Sequence, residues 1–149
     1  MKIRIGQIPY LNSEVFYYAL SCESIELVRL VPSALSMAAG QGQLDAGPVP
    51  LVTWFALEGC YQPLGDYCIA TGERARSIFM FSNRPIEALG GSVIGVTGET
   101  STSVLLLKVL LAHRFQVEPR KYGTLGEFSD AFLLIGDEAL RNRKGVLPY

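Results

Sequence analysis

The sequence predicts an α/β protein in two lobes. Short β-branched runs alternate with helix-forming stretches along the whole chain. A polar stretch, Gly72, Glu73, Arg74, Ala75 and Arg76, breaks that alternation midway and sets a lobe boundary, giving lobes over 1–74 and 75–149. Polar and hydroxyl residues gather where strands run into helices, the place at which open α/β sheets bind ligands.

Residues 2–8 read as a first strand. Its Ile3, Ile5 and Ile8 alternate only loosely with polar neighbours, as in a strand covered on both faces. The loop Pro9, Tyr10, Leu11, Asn12 and Ser13 then enters a helix over 13–20, with Ser13 as its cap. Residues 25–31 are β-branched and alternating, a second strand. Pro32 and Ser33 open a helix over 34–39, with Ser33 as N-cap, and Gly40 and Gly42 stop it. Residues 43–50 read as a short strand ending in a Gly/Pro loop, so the first lobe is two crossovers over a parallel sheet. A helix over 51–58 turns Trp54 and Phe55 inward, Gly59 ends it, and 63–71 is extended.

In the second lobe, residues 77–82 form a strand that Asn83, Arg84 and Pro85 break, and 86–89 make one helical turn. Residues 92–97 are a buried strand. The hydroxyl-rich turn over 98–103 feeds a helix over 104–115 that is apolar nearly all round and is expected at the centre. Residues 119–126 read as loop, 131–135 as an apolar strand ending at Gly136 and Asp137, and Ala139 and Leu140 start a last helix.

Composition narrows the function. The 149 residues are 49% hydrophobic and 18% charged with a formal net charge of -1, a globular balance with no nucleic-acid face. Met1 and Lys2 lead straight into a strand, with no export signal and no apolar stretch long enough to span a membrane, so a cytoplasmic protein is expected. Cys22, Cys60 and Cys68 lack CxxC spacing and read as reduced, mostly structural thiols. His113 is the only histidine, and no cluster has metal-ligand spacing.

Several polar groups can carry chemistry. Asn12 can hold a substrate hydroxyl or carbonyl, or simply satisfy its own turn; an amide is no base near neutral pH. Thr100, Ser101, Thr102 and Ser103 offer hydroxyl and backbone donors to a carboxylate or phosphate, and ordinary helix capping explains them equally well. Neither a nucleoside-triphosphate loop nor a dinucleotide fingerprint is present. Ser77 and Ser82 flank a strand without a GxSxG, and His113 lies inside a helix, which argues against a Ser-His-Asp triad. Arg74, Arg76 and Arg84 near the boundary suit an anionic ligand or plain solvation. Asp45 and Asp137, at strand ends, can hold a hydroxyl, take a proton or be structural.

Six stretches in order carry a family resemblance: 8–13, 31–35, 42–47, 76–82, 100–104 and 130–137. Together they resemble the chorismate dehydratases of the futalosine route to menaquinone. The Tyr10, Leu11, Asn12 loop favours that branch over the sibling dihydroxynaphthoate synthases. The resemblance implies a type II periplasmic-binding-protein fold, two α/β lobes around a cleft, here with the first lobe incomplete. It implies a lyase that dehydrates chorismate to 3-[(1-carboxyvinyl)oxy]benzoate with no cofactor. Asn12 is then the catalytic amide and Ser77 its partner across the cleft, with Ser82 the fallback. Tyr10, Ser13, Thr100, Ser101, Thr102, Ser103, Gly136 and Asp137 complete the implied substrate-binding set. The alternative is a non-catalytic cytoplasmic module that binds a small carboxylate on the same fold. The resemblance also implies a longer chain, since members of that family run on past the position of Tyr149. A shortened chain is therefore expected, weakly active or inactive alone, with an open sheet edge and exposed apolar surface that invite a homo-oligomer or instability.

Overall fold

The computed structural model describes residues 2–143 and divides the chain into two compact units, Met1–Gly72 and Glu73–Tyr149. It is α/β throughout.

The first unit is built on β1 (Ile3–Gln7) and β2 (Ile25–Arg29), paired in parallel from Ile3 opposite Ile25 to Gln7 opposite Arg29. On the other side of β1 the expected third strand is reduced to a parallel bridge between Ile5 and Ala46. Pro48 and Pro50 lack the amide donors a longer ladder needs. The predicted helix over 13–20 is instead a 3-10 turn, Leu11–Phe16, entered from an extended Tyr10. Ser13 therefore lies inside the turn and caps nothing. α1 (Pro32–Gly40) begins at Pro32, with Val31 rather than Ser33 as N-cap, because proline at the first helical position needs no amide partner. Gly42 takes φ +66 just past its end.

α1 lies close against β1: a side chain on Gly6 would occupy the space of the Leu35 side chain. Ile8, Leu35, Ala38 and Leu44 form this unit's core, with Tyr10, Val28 and Leu30 packed on it. α2 (Leu51–Leu57) is tied to α1 by the Ser36 and Thr53 hydroxyls, 2.7 Å apart. Phe55 does not turn inward: it is 64% exposed, and Trp54 is half-buried. Ile3 is also exposed, so β1 is not covered along its whole length. Residues 63–71 contain no strand, and Gly65 (φ +67) turns the chain there.

The second unit is a four-stranded sheet in the order β3-β6-β4-β5, from β3 (Ile78–Ser82), β4 (Val93–Val96), β5 (Lys121–Thr124) and β6 (Ala131–Ile135). β4, β5 and β6 are parallel, and β3 runs antiparallel to β6. A 3-10 turn, Ile86–Ala88, follows β3. β5 overturns the loop expected over 119–126. Lys121, Tyr122, Gly123 and Thr124 are weakly patterned, and pairing with the buried β4 forms the strand.

Helices cover both faces. α3 (Thr102–Val109) continues as a π-helical segment, Leu110–Phe115, and sets Leu107 and Leu111 into a core with Leu89, Ile94, Val117, Ala131 and Leu133. The helix is not enclosed as its composition suggests: Leu105, Leu106 and Val109 are exposed. α4 (Gly136–Arg143) starts three residues before the predicted position and packs Ala139 on Phe81 and Leu134. Leu133 and Leu134 thus face opposite cores, as the two-residue repeat of a strand requires.

Candidate functional site

Parallel strands deliver the loops that follow them to one edge of a sheet. In the first unit that edge carries the loop after β1, the residues after β2, and Gly47 after the Ala46 bridge. Gly47 (φ +152) lies so close to the Gly6 backbone that a Cβ there would stand 3.0 Å from the Gly6 amide nitrogen.

The loop from Pro9 to Ser13 is held from beneath. Tyr17 is buried, and its hydroxyl donates to the Gly6 carbonyl (3.2 Å) and accepts from the Ile8 amide (3.3 Å). Burial raises the Tyr17 pKa, against the pull of the Ile8 hydrogen bond. The Ser13 amide donates to the Tyr10 carbonyl at 2.9 Å, closing the first turn. Ser13 is 1% exposed, and its hydroxyl donates to Asn12 Oδ1 at 3.4 Å. Ser13 therefore braces Asn12, while Asn12 itself is exposed. Tyr10 packs half-buried against the Ile8 and Leu35 cluster.

In the second unit β3 starts where the parallel strands end, so Ser77 lies at the same edge as the residues after β4 and β6. The Gly136 amide donates to the Ser77 carbonyl at 2.8 Å, joining Ser77 to the first turn of α4. Gly136 adopts φ +61, which a glycine tolerates at a tight strand-to-helix junction. Asp137, half-buried, follows at the amino end of α4, where the helix dipole favours a carboxylate.

After β4, the buried Thr97 donates its amide to the Leu133 carbonyl (3.2 Å), and its hydroxyl accepts from the Glu99 amide (3.3 Å). This pins the root of the hydroxyl turn. Thr100, Ser101, Thr102 and Ser103 follow, all half-buried, and Ser101 occupies the N-cap position of α3 without a side-chain cap hydrogen bond.

The second unit thus places Ser77, the four hydroxyl residues, Gly136 and Asp137 along one edge of its sheet, with Ser77 bonded to Gly136. It does not bring in Ser82, which lies at the far end of β3, roughly 17 Å along the strand. There Ser82 Oγ accepts from the Arg84 amide at 3.0 Å. Arg84 shares that end, bonded to Asp130 at 2.7 Å, and so is separated from Arg74 and Arg76 by the length of β3. Asp45 is likewise at the opposite edge of its sheet, bound to the Arg4 amide (2.7 Å) and guanidinium (3.2 Å). Hydrogen bonds from the Arg4 side chain, then from its backbone, hold the Asp45 carboxyl below the usual range. His113 is exposed on the π-helical segment, and the three cysteines are free and exposed. Among the described residues no cluster of side chains has the makings of a metal site, and no helix is long and apolar enough to cross a membrane.

Sequence reasoning missed Tyr17, Thr97 and Gln7. Each is a polar residue in or beside an apolar run, and that is the one signal the sequence offered.

Fold and site together define an α/β protein of two units whose polar strand-to-helix loops gather at the carboxyl edges of its sheets. Residues 3–149 match the sequence family described as menaquinone biosynthesis, and the chain belongs to that family. It is similar to the chorismate dehydratase of Thermus thermophilus, 27% identical over 151 residues that cover 97% of this chain and 54% of that protein. It also shares its fold with a protein of Archaeoglobus fulgidus solved by X-ray crystallography, at a TM-score of 0.74 and 22% identity over 96% of this chain and 57% of the other. The chain therefore spans little more than half the length of these relatives.

Proposed function

We propose that the chain provides the residues of a chorismate dehydratase, a lyase that removes water from chorismate to leave 3-[(1-carboxyvinyl)oxy]benzoate. One observation carries the reading. On a chain of the menaquinone biosynthesis family, Asn12 stands at the carboxyl edge of one sheet, and Ser77, the hydroxyl turn and Gly136 stand at that of the other.

The chemistry asks for such groups. Chorismate carries two carboxylates and a ring hydroxyl. The hydroxyl and a ring proton leave together as water, and the ring becomes aromatic. No electrons pass to an acceptor, so the reaction needs no redox cofactor. Thermodynamics favours the product, and the protein's task is to bind, orient and assist departure of the hydroxyl. Asn12 donates its amide to the departing oxygen, and Ser77 is the second catalytic residue of this reading. Thr100, Ser101, Thr102 and Ser103 receive a carboxylate with hydroxyl and backbone donors. Tyr10 and Ser13 act by shaping the loop that presents Asn12. The substrate's enolpyruvyl carboxylate serves as the base. Substrate and product are water-soluble anions, which suits a cytoplasmic enzyme.

Incubation with chorismate tests this directly: slow loss of the cyclohexadiene absorbance should give way to a benzoate-like spectrum. Asn12→Ala should lower the rate by about a hundredfold. Binding of chorismate without conversion would instead assign the chain to capture of a small carboxylate.

A further inference from the structure

Arg29 ends β2 at the edge that carries the Pro9 loop. Its direct partner across the sheet is Gln7, the last residue of β1. Gln7 is 4% exposed, and its side-chain oxygen accepts from Arg29 Nε at 3.2 Å. The Leu30 amide donates to the Gln7 carbonyl at 2.9 Å, so the two strand ends are locked where this contact forms. Arg29 is exposed at the end of β2, and a neutral amide holds its Nε beside the end of β1.

That choice of partner is informative. The other arginine of this sheet, Arg4, is paired with a carboxylate, Asp45, at the opposite edge. Among the described residues no carboxylate pairs with Arg29. A buried glutamine fixes one donor of the guanidinium without neutralising it. The outer donors keep the fork geometry that a carboxylate matches with two parallel hydrogen bonds.

We propose that Arg29, oriented by Gln7, is a carboxylate anchor at the loop edge of the first unit. Its ligand is an organic carboxylate, and under the dehydratase reading, on which the assignment of chorismate rests, it takes one of the two carboxylates of that substrate. Arg29 binds, and Gln7 positions it.

The test titrates chorismate, benzoate and isophthalate into the full chain, following the Arg29 Nε–H resonance by NMR and affinity by calorimetry. The Arg29 signal should shift on saturation, and Arg29→Ala should weaken binding tenfold or more. Arg29→Lys should restore little, since an ammonium cannot make the paired contact. Gln7→Glu is the sharper variant. It keeps an acceptor against Arg29 but supplies the negative charge, so it should preserve the fold while cutting carboxylate affinity at least tenfold; a purely structural pair would be unaffected. If the wild-type chain binds or converts chorismate and both Arg29→Ala and Gln7→Glu do so within twofold, the anchor is overturned and the dehydratase reading stands. If chorismate fails to bind but benzoate or isophthalate shifts Arg29, the anchor stands and the dehydratase reading falls. If no carboxylate moves the Arg29 signal, the anchor is overturned.

Discussion

Tyr17 shows how one side chain sets a loop. Its hydroxyl bonds to backbone on either side of Gln7, at Gly6 and Ile8, so the chain must leave β1 at a fixed angle before it reaches Asn12. Tyr17→Phe removes both hydrogen bonds and keeps the ring. It should cost about 1–2 kcal/mol in urea unfolding and reduce ligand affinity through the displaced loop. Arg4 and Asp45 illustrate a second residue-scale effect. The Asp45 pKa is lowered from 3.8, so its contribution is complete above that value and is lost as the pH falls through the lower folded-state value. Both side chains are partly exposed, so the effect is small. Urea midpoints measured between about pH 6 and pH 2 should fall more steeply for the wild-type chain than for Asp45→Asn. At this scale the sequence was legible in residue type and less so in role. Ser13 and Ser33 have the chemistry of helix caps, but Tyr10 and Val31 hold those positions, because a proline at the helix start and a 3-10 turn shift the first residue.

The elements follow the apolar pattern where it is strong. β1, β2, β3, β4 and β6 lie within the runs that predict them, since β-branched residues in short runs fit a buried sheet. β5 was invisible because its four residues include a glycine and a lysine, and it exists through its pairing with β4. The reading of α3 fails for the opposite reason. A continuous apolar run gives no sign of which face is covered, and only Leu107 and Leu111 are buried. Leu111→Ala should therefore cost about 2–5 kcal/mol, and Leu106→Ala, on the exposed face, less than about 1 kcal/mol, measured by chemical unfolding. Equal losses at the two positions would contradict the burial described.

Across the whole molecule the two units differ in their cores. Among the described residues the first has one buried cluster of four side chains; the second has clusters of seven and three, one on each face of its sheet. Amides of β1 and β2 should exchange with solvent faster than those of β4 and β6 in native-state hydrogen exchange. The reverse order would mean that the larger clusters do not govern stability. The α/β class was legible because strands and helices alternate. The grouping of Ser77 with Gly136 and the hydroxyl turn was legible only through the family resemblance, because in the fold it depends on β3 running against β6.

That reversed strand has a consequence for engineering. Ser77 is fastened to Gly136 within its own unit, by a hydrogen bond that does not involve the tether preceding it. Extra residues spliced in between Gly72 and Ala75 would lengthen the tether and leave Ser77 in place. A reporter or a responsive insert can therefore be grafted there with the second unit's chemistry kept in register.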